Sequence, residues 1–152
     1  MALSRHLWLT AFALTLLCAG VRAQGQPTLP SVPLTAGLYL INAEVAASYG
    51  TRMQGLMQRE KMGANEGMLF VFPDRDKQCM WMKNTLLPLS VAFLDDNGVI
   101  INVEDMKPQT ETSHCSAGLA RFALEMNLGW FKSNNIKAGA KITGVEKAGP
   151  PR

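Results

Sequence analysis

The sequence is poor in the residue types on which most enzymes and metal proteins rely. Two histidines, three cysteines and two tyrosines occur in 152 residues, and His6 falls in an N-terminal leader, so His114 is the one imidazole beyond it. Common catalytic zinc sites take two or three imidazoles, and that class is excluded. There is no Gly-x-Ser-x-Gly elbow, no phosphate-cradling glycine loop and no His-Glu-x-x-His helix. No apolar run reaches the ~20 residues needed to span a bilayer. Blocks of Lys and Arg are also missing, which leaves little electrostatic footprint for nucleic acid.

What is there begins with the leader. Arg5 and His6 precede an apolar run from Leu7 to Cys18, and Val21-Arg22-Ala23 ends on a small residue. Residues 1–23 therefore read as a signal peptide cleaved before Gln24. Leu17 stands where lipoprotein signals carry Gly, Ala or Ser, so lipidation of Cys18 is not expected. The formal charge is +3, from 15 Lys+Arg against 12 Asp+Glu; without Arg5 and Arg22 it is +1. The mature protein is expected to be periplasmic or secreted, in an oxidising setting, with no nucleic-acid partner and no membrane span. Cys79 and Cys115 remain, 36 positions apart, either as a disulfide or as two separate small hydrophobes.

Composition divides the rest. Residues 24–36, with Pro27, Pro30 and Pro33, read as an extended tether, and 148–152 as a loose tail. The folded unit is then one domain over residues 37–147. Strand-like runs cover Leu38–Val45, Met68–Phe72, Gln78–Asn84, Leu89–Leu94, Val99–Met106, Leu119–Met126 and Ile142–Glu146. Asn97-Gly98 between two of them is a hairpin signal, because both residues tolerate positive φ. Ser48 can cap a short helix with Tyr49, Met53, Leu56 and Met57 on one stripe, and a second turn is expected near Trp130–Asn134. The fold class is mainly β: an antiparallel sandwich or distorted, partly closed barrel with one or two short helices.

Several blocks carry a resemblance. Arg52-Met53-Gln54-Gly55-Leu56-Met57, Gly67-Met68-Leu69-Phe70, Trp81-Met82-Lys83-Asn84-Thr85 with Pro88-Leu89, Leu124-Glu125 before Gly129, and Ile136-Lys137-Ala138-Gly139 follow in order. Together they resemble the uncharacterised DUF192 family. The resemblance implies a compact, mainly-β domain, often exported, and it implies no established activity. Two departures stand out: Ser90 and Ala140 occupy positions where the family usually carries Asp.

Arg52, Lys83, Asn84, Thr85 and Glu125 are the candidate ligand-binding residues. Asn84 shares a strand face with Met80 and Met82 and is expected to point inward, and Glu125 alternates with Arg121 and Ala123. Inward polar groups need partners, so the set either forms internal ties, such as Arg52 with Glu125, or lines a cleft. His114-Cys115 reads as exposed loop rather than a thiol dyad, since neighbours in extended chain point apart. Neither a metal site nor a cofactor is expected. The eight methionines beyond the leader suit core packing, with Met53 and Met57 on the helix stripe; copper handling requires at least three of them to converge at the surface.

The reading these features favour is a non-catalytic module binding a small molecule, glycan or cell-envelope partner, with Arg52, Asn84 and Glu125 around one cleft. The alternatives are a small periplasmic hydrolase or lyase using Glu125, with Glu104 or Asp105 as second carboxylate, and a structural envelope accessory protein. The oligomeric state is left open.

Overall fold

A computed structural model describes residues 28–152 of the protein. The expected signal peptide, and residues 24–27 of the expected tether, lie outside the described residues. Among the described residues nine strands form a seven-stranded sheet and a separate two-stranded ladder. The sheet strands are β1 (Ser31–Ala36), β2 (Tyr39–Ala46), β3 (Glu66–Asp76), β5 (Leu89–Leu94), β6 (Ile100–Met106), β8 (Ala120–Asn127) and β9 (Ile142–Thr143). Their order across the sheet is β6-β5-β8-β3-β2-β1-β9. β4 (Cys79–Met80) and β7 (His114–Cys115) make the ladder. Helices α1 (Tyr49–Gln54) and α2 (Trp130–Ser133) and a 3-10 turn at Val145–Ala148 complete the fold.

The mainly-β expectation holds, in its barrel form: the sheet curls into a half-barrel. Its two ends meet at one rim, where the Ile100 amide donates to Ala140 O at 2.8 Å and the Ile142 amide to Gly98 O at 2.8 Å. One pairing departs from an antiparallel scheme, because β2 and β3 run parallel, with Glu44 opposite Met68. Parallel neighbours cannot be joined by a tight turn and need a crossover of a dozen or more residues. Residues 47–65 supply it, and α1 lies within it.

Alternation along the strands sorts the apolar residues to two sides. Leu34, Leu69, Leu94, Leu124 and Phe131 belong to the core on one face, and Leu56, Met68, Phe70, Met82, Val91 and Phe93 to that on the other. The crossover covers the second face, since Leu56, just beyond α1, is buried with Phe70.

The tether reading fails over Ser31–Ala36. These residues pair with β2 from Ser31↔Glu44 to Ala36↔Tyr39, and Leu34 and Ala36 are fully buried. Pro33 is tolerated because β9 pairs only with Thr35 and Ala36, so its missing N–H leaves no ladder bond unmade. At the other end the last residues are not loose, since the Arg152 amide donates to Ala47 O at 2.7 Å. The strand expected over Gln78–Asn84 stops at Met80, and a turn follows in which the Thr85 amide bonds Met82 O at 3.1 Å.

Candidate functional site

Glu125 lies in β8, an inner strand of the sheet, directly opposite Met68 of β3 and Val91 of β5. Side chains opposite one another across antiparallel pairs share a face, so its carboxyl sits between two fully buried apolar side chains on the α1 side. Glu125 is 3% exposed, and its carboxyl has no hydrogen-bond partner among the described residues. Burial without compensation disfavours the charged form. It pushes the Glu125 carboxyl from an ordinary 4.5 up to about 8.

The crossover sets the opposite wall. Ser48 accepts from the Thr51 amide at 3.2 Å while Thr51 Oγ1 accepts from the Ser48 amide at 3.0 Å, a reciprocal cap that fixes the start of α1. Past its end, Gly55 adopts φ 47°, and a Cβ there would come within 3.2 Å of the Phe70 ring. That close approach brings the helix end down onto the sheet. Arg52 Nη1 donates to the carbonyls of Ala47 at 2.6 Å and Val71 at 3.0 Å, tying α1 to the end of β2 and to β3.

Between these walls is a cavity of about 20 Å³, lined by Arg52, Met53, Met57, Phe70, Met80, Trp81, Thr85 and Glu125, among others. That is room for a single water-sized occupant. Wider depressions of about 450 Å³ and 460 Å³ lie beside Asp105 and Phe131 and beside Phe122 and Lys141. Neither has a buried polar side chain left without a partner on its walls, since Asp105 accepts from Ser90 Oγ at 2.5 Å. We place the candidate site at Glu125.

Of the five residues singled out in the sequence, Arg52, Thr85 and Glu125 come together there. Thr85 is 4% exposed, and its carbonyl accepts from the Gln109 amide at 3.1 Å. Lys83 and Asn84 do not line the cavity. Lys83 Nζ lies 5.3 Å from the Trp81 ring centroid and 3.6 Å from Glu111. Asn84 does not point inward: it is exposed at φ 54° in the turn that replaces the strand end, and its carbonyl accepts from the Gln58 amide. The internal tie between Arg52 and Glu125 is absent too, because the guanidinium is engaged with backbone carbonyls.

Neither expected second carboxylate joins Glu125. Glu104 is across Val91 on the next strand but one, two strand spacings or about 10 Å away. Asp105 is bound to Ser90, whose Oγ also accepts from the Gly129 amide at 2.8 Å. Ser90, at the departure from the family pattern, is thus a buried tie between β5, β6 and the approach to α2.

Sequence reasoning missed Met53, Met57, Met80 and Trp81 as walls of the site. No residue of α1 is buried, and Met53 is 44% exposed, so of the expected stripe of Tyr49, Met53, Leu56 and Met57 it is Leu56, past the helix end, that enters the core. Cys79 and Cys115 are bonded and stand opposite each other in the β4–β7 ladder. Among the described residues no group of three or more His, Cys, Asp or Glu side chains could hold a metal ion, and no helix is long and apolar enough to cross a membrane.

The chain belongs to the DUF192 family, described as an uncharacterized ACR, which matches residues 32–144. It is similar to a protein from Sinorhizobium meliloti 1021 described as a "putative transcription regulator": 31% identity over 80% of this chain and 98% of that one, TM-score 0.73. It is likewise similar to a protein of unknown function from Novosphingobium aromaticivorans DSM 12444: 32% identity over 75% of this chain and 85% of that one, TM-score 0.72. No curated protein matches it.

Proposed function

We propose that this domain is a non-catalytic binding module, and that the cleft between the α1 crossover and strands β3 and β8 receives one small group of its ligand. One observation carries the reading. Glu125 is a carboxyl with no partner among the described residues, held at the floor of a cavity and buried at a cost that well-packed apolar residues there would avoid. Such a group is explained if a ligand supplies the missing contact. Arg52 and Thr85 add a cation and a hydroxyl to the same walls. The ligand class is a small molecule, a glycan or a cell-envelope component, met after export; the bonded Cys79–Cys115 pair supports an oxidising compartment.

The test is amide-resolved NMR of the labelled protein against a panel of amino acids, monosaccharides, Ca²⁺ and Cu(I). At least one probe is expected to shift the Arg52, Thr85 and Glu125 amides, and Glu125→Gln to weaken that response at least tenfold. A panel that moves none of these amides, or only amides elsewhere, overturns the reading.

A second reading, acid–base catalysis by Glu125, is favoured by its pKa of about 8, which suits a general acid near neutral pH. It predicts a pH–rate profile that follows the Glu125 titration and disappears in Glu125→Gln. A turnover retained by that variant would exclude it.

A further inference from the structure

Seven of the eight methionines beyond the leader divide into two populations, and the eighth, Met62, is half-buried against the second core. Met68, Met82, Met106 and Met126 are at most 1% exposed and fill the two cores. Met53, Met57 and Met80 are exposed or half-buried, and all three line the Glu125 cavity. They reach it from separate parts of the chain: Met53 from α1, Met57 from the turn after it, and Met80 from β4, whose position is fixed by the adjacent Cys79–Cys115 bond. Core filling explains the first group and part of Met80, which packs against the second core, and leaves Met53 and Met57 unexplained, because a thioether at an open wall buries little area.

The size of the cavity narrows what can occupy it. About 20 Å³ admits a single water-sized particle, so a sugar or an amino acid could enter by one small group alone. A one-atom occupant contacted by thioethers is a soft cation, since sulfur ligands of this type select Cu(I) over hard divalent ions. Glu125 supplies a carboxyl at the floor that has no partner among the described residues. Arg52 is the only other charged residue on these walls, and its Nη1 is turned to the Ala47 and Val71 carbonyls.

We infer that the cavity is a binding site for one soft monovalent cation, Cu(I), held by the thioethers of Met53, Met57 and Met80 over the Glu125 carboxyl. The inference rests on the binding reading above, keeping its site and replacing its ligand class by a metal cation. It reverses the expectation of no metal, which assigned Met53 and Met57 to the core.

The experiment is an anaerobic Cu(I) competition titration of the purified protein in ascorbate, against a chromophoric Cu(I) chelator. A parallel thiol assay confirms that Cys79 and Cys115 stay bonded, so that free thiolates contribute nothing. Leucine replaces methionine with little change of volume, so the variants keep the fold, and thermal unfolding verifies this. The wild type is expected to bind one Cu(I) per chain. Met53→Leu, Met57→Leu and Met80→Leu should each weaken binding at least tenfold, and the triple variant should remove it together with the sulfur shell seen by X-ray absorption. Met62→Leu, outside the cavity, should bind as the wild type does. Failure of the wild type to hold Cu(I), or undiminished binding in the triple variant, overturns the inference. If Cu(I) fails while a sugar or an amino acid still shifts the Glu125 amide, only the copper assignment falls; if no probe shifts it, the binding reading falls as well.

Discussion

Arg52 and Glu125 line the same small cavity without pairing. The guanidinium Nη1 lies 2.6 Å from Ala47 O and 3.0 Å from Val71 O, and the carboxyl is left with burial alone. A buried ion pair here would have closed the site. Its absence gives the cavity an acid that is largely protonated at neutral pH, beside a cation that serves the backbone.

The first consequence concerns pH. Glu125 has a folded pKa of about 8 against an ordinary 4.5, so between these values the folded protein binds more protons than the unfolded chain. Stability of the metal-free protein should therefore fall as pH rises from about 4.5 to about 8, by up to about 1.4 kcal/mol per unit, and level off above. Urea unfolding from pH 5 to 9 measures this. Glu125→Gln should flatten the profile and be the more stable protein at pH 8.

Glu44 should behave in the opposite sense. Burial pushes its carboxyl up, but the hydrogen bond and charge of Arg59 and the bond from the Leu29 amide outweigh burial and hold it below 4.5. Its contribution is present above the ordinary carboxylate range and is lost as pH falls through the lowered value. Glu44→Gln should cost about 1–3 kcal/mol at pH 7, between the values for exposed and fully buried pairs, and less near pH 3. Paired urea titrations at the two pH values check it.

Arg52→Met should test the anchoring of α1. It removes two bonds from a charged donor to backbone carbonyls. The expected loss is about 2 kcal/mol in urea unfolding, accompanied by faster hydrogen exchange in residues 48–57.

Gly67→Ala probes the close approach of β3 to β8. A Cβ at Gly67 would lie 2.5 Å from Glu125 O and 2.5 Å from Met126 Sδ, so a strand must shift. The expected destabilisation is about 1–3 kcal/mol, and a perturbed Glu125 amide shift in NMR should accompany it.

The disulfide should matter more than Glu44, Arg52 or Gly67. Cys79 and Cys115 close a loop of 36 positions, for which chain entropy gives about 4 kcal/mol. Cys79→Ser with Cys115→Ser should lower the urea midpoint accordingly without changing the far-UV spectrum.

Much of the fold was legible because local signals and packing agreed. Leu89–Leu94 is the strand its β-formers predict, and Asp95 Oδ1 closes the expected hairpin by accepting from the Asn97 and Val99 amides. Ser48 caps α1 as its side chain allows. The parallel β2–β3 pair was not legible, since pairing direction is decided by long-range packing rather than by periodicity. The prolines around β1 read as a tether because the open β9 side at Pro33, whose other side pairs with Asn42, is a tertiary fact. At the site, alternation along β8 correctly joined Glu125 to the face of Ala123, whereas alternation past Met80 misplaced Asn84, because the chain leaves the ladder after two residues. The cavity methionines were hidden by the same periodicity, which registers an apolar stripe and not whether the helix bearing it is deep enough to be buried.

The most direct measurement is a ¹³C NMR titration of the Glu125 side-chain carboxyl, assigned by its loss in Glu125→Gln. A buried carboxyl without an internal partner predicts a midpoint near pH 8 in the metal-free protein. A midpoint near the ordinary 4.5 would mean that the carboxyl is solvated or paired, and would contradict the site on which the account rests.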